Sequence, residues 1–161
     1  MSRSEKLQQT ILTADVGTSS LKAVLYAQDG KVLAASTQRY DFFSEQPGWA
    51  EGDPEVWWQA LGDALSDLGK QGQELGRVEA VCFTGQMHTA VLLDNTGEVL
   101  SPTILWLDRR AAAETHDLQA ELGLPPYQLN STYTLPKLLW LHRYRPEVVA
   151  WTRHLLWPKD Y

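Results

Sequence analysis

The amino-terminal part of the chain contains three apolar stretches joined by connections too short to contain a helix. Residues 10–14 predict a first buried strand, and residues 21–26 alternate in polarity, which indicates a second strand. The pair Asp29-Gly30 is a strong hairpin signal before a third strand at residues 31–37. Three strands joined in this way form an antiparallel meander. The chain therefore does not open with the strand–helix–strand order of a dinucleotide-binding unit.

A first helix is predicted after the meander. Asp53 is a suitable N-cap, Pro54 suits the first helical position, and Glu55 favours the first turn. We expect this helix to end at Gly69. Its predicted apolar face, at helical spacing, consists of Trp57, Leu61, Ala64, Leu65 and Leu68.

Downstream of that helix, strand and helix patterns are mixed, which predicts an α/β fold whose mixed sheet begins with the meander and is flanked by helices. The predicted strands are residues 78–83, 89–93 and 98–100, with a turn at 95–97, and a last strand begins at residue 155. The predicted helices are residues 108–122, 135–144 and 146–151.

Composition and charge exclude several classes of function. The 161 residues include 14 basic and 20 acidic side chains, a net charge of −6 without a basic cluster, which argues against a nucleic-acid partner. The longest apolar runs, such as residues 90–93, are far shorter than the ~20 residues that span a bilayer, so no membrane association is expected. A polar, flexible leader at residues 1–9 and a single cysteine, Cys82, favour a cytoplasmic location.

The turn after the first strand is the first candidate site. Gly17 is followed by the hydroxyl residues Thr18 and Ser19, and such a turn can hold a phosphate with backbone N–H and hydroxyl donors. Asp15 adds a carboxylate suited to Mg²⁺ or its bound water. The alternative is an ordinary hairpin in which Asp15 accepts hydrogen bonds from the turn.

A second candidate follows the strand at residues 78–83, which we expect to be buried. Gln86 and His88 offer donors and acceptors for a polyol at the end of that strand, and Met87 offers an adaptable apolar wall. The alternative is that His88 is a structural residue with its hydrogen bonds satisfied inside the fold.

A third candidate is Trp106, followed by Asp108 and Arg110. An indole can pack on the C–H face of a sugar while charged groups bind its hydroxyls. The alternative is a helix start, with Asp108 at the helix N-terminus, Arg110 paired to it and Trp106 buried.

Taken together, these segments resemble the FGGY carbohydrate kinases, and within that family the xylulokinases. The resemblance runs from about Ile11 to Tyr161. It rests on residues 15–19, 85–88 and 106–110, supported by residues 47–55, 136–140 and 158–161.

The resemblance implies an actin-like ATPase (RNase H-like) fold and a kinase of two domains, with the sugar and Mg-ATP meeting between them. Residues 10–161 would form part of the N-terminal, sugar-binding domain, truncated after Tyr161. By resemblance, Asp15 positions Mg²⁺, and Gly17, Thr18 and Ser19 bind the phosphates of ATP. The residues implied in sugar binding are Gln86, Met87, His88, Trp106 and Asp108.

The implied reaction is ATP-dependent phosphorylation of a sugar, with D-xylulose and its C5 hydroxyl favoured. The aspartate that acts as general base in this family lies beyond residue 161, so these residues alone are expected to be inactive. Thr89 and Leu107 stand where xylulokinases commonly have Gly and often Asn, which leaves gluconate, ribulose or another polyol open as substrates. A non-catalytic sugar-binding remnant, and a homodimer of the full-length protein, also remain open.

Overall fold

The computed structural model describes residues 9–161, so nearly all of the predicted leader at residues 1–9 lies outside the described residues. The chain divides into two compact units. Of the described residues, the first unit comprises 9–40 together with Glu55–Gly85, and the second comprises Asp41–Pro54 together with Gln86–Tyr161. Within residues 9–161, none of the helices combines the length and hydrophobicity that crossing a membrane requires.

The elements confirm the α/β class. The strands are β1 (Thr10–Val16), β2 (Ser20–Ala27), β3 (Val32–Arg39), β4 (Glu51–Gly52), β5 (Val78–Gly85), β6 (Val91–Leu93), β7 (Thr103–Ile104) and β8 (His154–Leu156). The helices are α1 (Glu55–Lys70), α2 (Ala112–Leu122), α3 (Thr134–Tyr144) and α4 (Pro146–Trp151), with a short 3₁₀ turn at Leu75–Arg77.

The first unit is a mixed four-stranded sheet in the order β3-β2-β1-β5. β1 pairs antiparallel with β2, and β2 pairs antiparallel with β3, which confirms the predicted meander. β5 lies parallel to β1 on the other side. Parallel strands need a long crossover connection, and the connection that leads to β5 contains helix α1.

Helix α1 packs on β2 and β3 through one apolar face, as expected for an amphipathic helix. Its end differs from the prediction by one residue, because the helix passes through Gly69 to Lys70. The backbone conformation that needs glycine occurs at Gly72, whose φ is +84°. The buried residues of the helix are Trp57, Ala60, Ala64 and Leu68.

The prediction that the strand before Gln86 is buried was wrong. Every residue of β5 from Glu79 to Thr84 is exposed, including Val81 and Phe83. The reason is that β5 pairs with β1 at one margin of the sheet, while α1 packs on β2 and β3. An apolar run at strand spacing does not reveal whether another element covers it.

The second unit combines short strands with three helices. β4 pairs with β7 and β6 pairs with β8, both antiparallel. The two-residue strands β4 and β7 escaped the sequence prediction, whereas the predicted turn at residues 95–97 is present, with Gly97 at φ +91°. The predicted return strand at residues 98–100 is only a bridge between Leu93 and Val99. The core of this unit contains Leu92, Ile104, Leu141 and Val148.

Helix α2 begins later than predicted, at Ala112 instead of Asp108. Asp108 is held outside the helix because its carboxylate binds the backbone N–H of Ala50, 58 residues away in the sequence. The predicted end is confirmed, since Gly123 caps the helix in the left-handed conformation with φ +65°.

Candidate functional site

The predicted phosphate turn lies between β1 and β2 in the first unit. Asp15 is within β1 instead of in the turn, is exposed, and has Lys22 of β2 and Thr84 of β5 as its neighbours across the sheet. The turn itself consists of Gly17, Thr18 and Ser19. The structure therefore places the carboxylate on a rigid strand immediately before the turn.

Gly17 is required by a close approach of backbone atoms. Its N–H donates to the carbonyl of Ser20 at 2.9 Å, which closes the turn. A Cβ at position 17 would lie only 2.9 Å from that same carbonyl oxygen. A larger residue would therefore force the turn to open, so the tight shape depends on glycine.

Tyr40 supports this turn from the end of β3. Its hydroxyl donates to the carbonyl of Gly17 at 2.7 Å, and its N–H donates to the carbonyl of Ser19 at 3.1 Å. The pKa of the Tyr40 phenol is raised well above its usual value, mainly by burial and to a smaller extent by the negative charge of Asp15. The phenol therefore stays protonated and remains a donor at any physiological pH.

The residues of this unit fit a magnesium ion that is bound mostly by water and phosphate. Within residues 9–161, no three side chains of His, Cys, Asp or Glu group together as a metal site. Mg²⁺ usually keeps several waters and needs only one or two carboxylates together with substrate phosphates. The exposed carboxylate of Asp15 meets that requirement without further protein ligands.

The second unit contains the segment that carries Gln86, Met87 and His88. Met87 is 73% exposed, while Gln86 and His88 are half-buried. His88 has φ +57°, and it is the one residue other than glycine with a positive φ among residues 9–161. This conformation is uncommon for residues other than glycine and costs free energy, and such residues concentrate at functional sites.

The His88 ring packs on Tyr133, which directly precedes α3. The ring centroids are 4.5 Å apart, and the planes are inclined by 33°. Burial, followed by the positive charge of Lys137, lowers the pKa of His88. The imidazole is therefore neutral at pH 7, and one ring nitrogen can donate while the other accepts.

Thr89 connects this segment to the chain around Trp106. It is completely buried, and its hydroxyl donates to Oε1 of Gln86 at 3.2 Å while accepting the N–H of Trp106 at 3.0 Å. Trp106 itself is 39% exposed, so the alternative in which this indole is buried is wrong. One hydroxyl thus brings two of the sequence-predicted sugar residues together.

Asp108 lies in a buried ion-pair cluster. It is 1% exposed, and its two carboxylate oxygens accept the N–H of Ala50 at 2.6 Å and three donors of Arg110 at 2.8–3.0 Å. Arg110 also donates to Glu51 at 2.7 Å and lies 3.7 Å from the centre of the Trp49 ring. The predicted pairing of Asp108 with Arg110 is therefore confirmed, and the carboxylate is engaged within the chain.

Lys137 was not predicted as a site residue from the sequence, yet it lies beside the predicted sugar residues. Its ammonium donates to the carbonyls of Thr132 at 2.8 Å and of His88 and Trp106, both at 3.3 Å. A signal was available, because Thr134, Lys137, Leu138 and Leu141 share the spacing of one helix face. A lysine on an apolar face of a helix indicates a buried charge with specific partners.

Comparisons with known proteins agree on one family. The profile of the FGGY family of carbohydrate kinases, N-terminal domain, matches residues 10–161. The xylulose kinase of Escherichia coli strain K12 is 41% identical over a 151-residue alignment that covers 91% of this chain and 31% of that protein.

Solved structures show the same likeness. A xyloylose kinase from Brucella ovis matches with a TM-score of 0.89 and 33% identity over 95% of this chain and 33% of its own. A gluconate kinase from Lactobacillus acidophilus matches with a TM-score of 0.84 and 28% identity over 94% and 32%. These likenesses confirm the expected actin-like ATPase fold, and the chain spans about a third of the length of its relatives.

Proposed function

Because this chain belongs to the FGGY family of carbohydrate kinases, we propose that its protein transfers the γ-phosphoryl group of ATP to a sugar, with the C5 hydroxyl of D-xylulose as the favoured acceptor. The observation that carries this proposal is the hydrogen-bonded segment at residues 86–89 of the second unit. There, the hydroxyl of Thr89 bonds both Gln86 and the N–H of the partly exposed Trp106, and His88, with its positive φ, directly precedes Thr89 in the chain. Side chains fixed in this way are prepared for a small polar ligand.

The sugar is bound by Gln86, Met87, His88 and Trp106 in this proposal. The indole of Trp106 packs on the C–H face of the sugar, Met87 forms an apolar wall, and Gln86 and His88 exchange hydrogen bonds with hydroxyls. Asp108 belongs to the same site. With its carboxylate bonded to Arg110, it contributes by holding the backbone two residues after Trp106.

Phosphate binding falls to the turn of the first unit. Gly17, Thr18 and Ser19 bind phosphates of ATP through backbone and hydroxyl donors, and Asp15 orients the hydrated metal. When bound, Mg²⁺ neutralises the charge that develops on the transferred phosphoryl group. Positioning and charge neutralisation are most of what phosphoryl transfer requires, and a rigid turn next to a carboxylate suits both.

The test is a substrate panel with the full-length gene product. We expect ATP-dependent phosphorylation of D-xylulose, and no comparable rate with D-ribulose, gluconate or glycerol. Gluconate is the second candidate, favoured by the likeness to the gluconate kinase of Lactobacillus acidophilus. If gluconate is phosphorylated and D-xylulose is not, gluconate replaces D-xylulose as the favoured substrate. Binding of D-xylulose without any turnover would support a non-catalytic module.

Two further measurements separate the roles. Asp15→Asn removes the charge that faces the metal, so we expect phosphorylation to be abolished while sugar binding, measured by calorimetry, changes little. Turnover that survives this substitution would reduce Asp15 to a structural strand residue. The 161 residues alone should release almost no ADP with D-xylulose, because in this family the general base lies in a later segment; sustained ADP release would contradict that.

A further inference from the structure

Lys137 is a charged side chain in a position where a hydrophobic residue would be expected. It lies in the first turn of α3, is 3% exposed, and shares its helix face with core residues such as Leu141. An ammonium group has three N–H donors and no acceptor. All three donors are matched here, because three backbone carbonyls lie within 2.8–3.3 Å of the nitrogen.

The three carbonyls come from three separate segments of the chain. One belongs to His88, 49 residues before the lysine, and one to Trp106, 31 residues before it. The third belongs to Thr132, next to Tyr133, whose ring packs on His88. The bonds therefore hold the backbone of the three segments that carry His88, Trp106 and Tyr133.

We propose that Lys137 is a positioning residue for sugar binding: its ammonium ties the backbones of His88, Trp106 and Thr132 together, so that the side chains of these segments meet the sugar without rearrangement. This inference rests on the proposed function for its ligand. A site whose groups are ordered before binding avoids the cost of ordering them in the complex.

The electrostatic surroundings make the hydrogen bonds of the Lys137 ammonium sensitive to pH. Burial lowers the pKa of Lys137 to about 8; Asp108 opposes this shift, and Arg109 and Arg110 add to it. His88 also lies close enough for its own pKa to be affected by the lysine. Once deprotonated, the amine has two N–H donors for three carbonyls, so one of the ties is lost.

The decisive variant is Lys137→Met in the full-length gene product, with Lys70→Met as the matched control. Methionine is an unbranched side chain one atom shorter than lysine and has no donor, whereas Lys70 is an exposed residue at the end of α1. Leaving buried carbonyls without donors should raise the KM for D-xylulose about tenfold or more, while the KM for ATP changes less than about twofold. If Lys137→Met has the wild-type KM for both D-xylulose and ATP, the proposal is overturned.

Hydrogen–deuterium exchange separates this proposal from the proposed function. We expect faster amide exchange at residues 86–89 and 106 in Lys137→Met and no change there in Lys70→Met. If the wild-type protein phosphorylates no sugar, the proposed function fails. The exchange rates then still test the positioning role of Lys137: faster exchange in Lys137→Met supports that role, and unchanged exchange rejects it.

A measurement on the wild-type protein covers the case in which Lys137→Met does not fold. Affinity for D-xylulose, measured by calorimetry, should fall as the pH rises through about 8, because the lysine then loses its proton. A flat profile between pH 7 and about 9.5 would contradict the proposal.

Discussion

The turn at Gly17 and the segment at His88 are both irregular stretches of backbone, yet they are held in different ways. The turn is closed by a hydrogen bond over three residues, from Gly17 to Ser20, and its shape depends on the absence of a side chain. The segment at His88 depends on groups 17 to 49 residues away in the sequence, because the backbone N–H of Trp106 donates to Thr89 and the ammonium of Lys137 donates to the carbonyl of His88. A locally closed turn can form early and alone, whereas a remotely tied segment exists only in the completed fold.

The largest expected effect comes from disrupting the buried ion-pair cluster of Asp108, which joins residues distant in the sequence. In Asp108→Ala, the 2% exposed guanidinium of Arg110 keeps only Glu51 of its two carboxylate partners, and the buried N–H of Ala50 loses its acceptor, so the free energy of unfolding should fall by about 3–5 kcal/mol. Denaturant unfolding measures the loss. The matched control is Asp160→Ala, whose exposed pairing with Lys159 contributes less than about 1 kcal/mol. Equal effects for the two variants would show that the cluster does not support the fold.

A smaller loss is expected at the local turn. In Gly17→Ala, the new methyl group clashes with the Ser20 carbonyl, which should cost roughly 2 kcal/mol of stability and weaken ATP binding. Gly62→Ala is the control, because it adds the same methyl group in α1 with nothing within 4 Å. That change should stabilise the protein by about 0.4–1 kcal/mol. A neutral Gly17→Ala would show that the turn tolerates opening.

Removing one hydroxyl tests the remote segment more gently. Thr89→Val keeps the shape but leaves the N–H of Trp106 without this acceptor, which should cost about 1–2 kcal/mol and raise the KM for the sugar. The control Thr115→Val removes a hydroxyl that bonds the carbonyl of Ala111, the residue directly before α2, so the sugar KM should not change. A sugar KM that responds equally to both variants would argue against a special role for Thr89.

The smallest effect is a difference in pH dependence. The pKa of Lys137 is lowered to about 8, so the unfolded chain binds more protons between about pH 8 and 10.5, and the free energy of unfolding rises with pH there. The pKa of Tyr40 is raised, so above about pH 10 the folded state binds more protons and its stability falls. Tyr40→Phe should lower stability by about 1 kcal/mol near neutral pH and remove the alkaline loss. Thermal unfolding of both proteins from pH 7 to about 11 measures it, and identical alkaline slopes would refute the assignment to Tyr40.

The same contrast explains what could be predicted from the sequence. The meander, the Gly17 turn and the end of α2 at Gly123 follow from neighbouring residues, so periodicity and turn chemistry were sufficient. The start of α2 was misplaced because Ala50, 58 residues away, holds Asp108 outside the helix. No local pattern contains that information.

The candidate site shows the same limit. Residues with distinctive side chains, such as His88 and Trp106, could be proposed as site residues from the sequence, and their roles stay predictions. Lys137 was overlooked because its partners are backbone carbonyls, which every residue carries and no motif reveals. The exposure of β5 was also unpredictable, since coverage of a strand depends on where α1 packs.

The exposed strand β5 has a consequence for the handling of this chain in solution. It presents apolar side chains such as Val81 and Phe83 at the margin of a sheet, and Glu79 is its one charged residue. A bare strand of this kind is a template to which another extended polypeptide can add. We therefore expect concentrated samples of the isolated chain to become turbid through strand addition at β5, long before either unit unfolds.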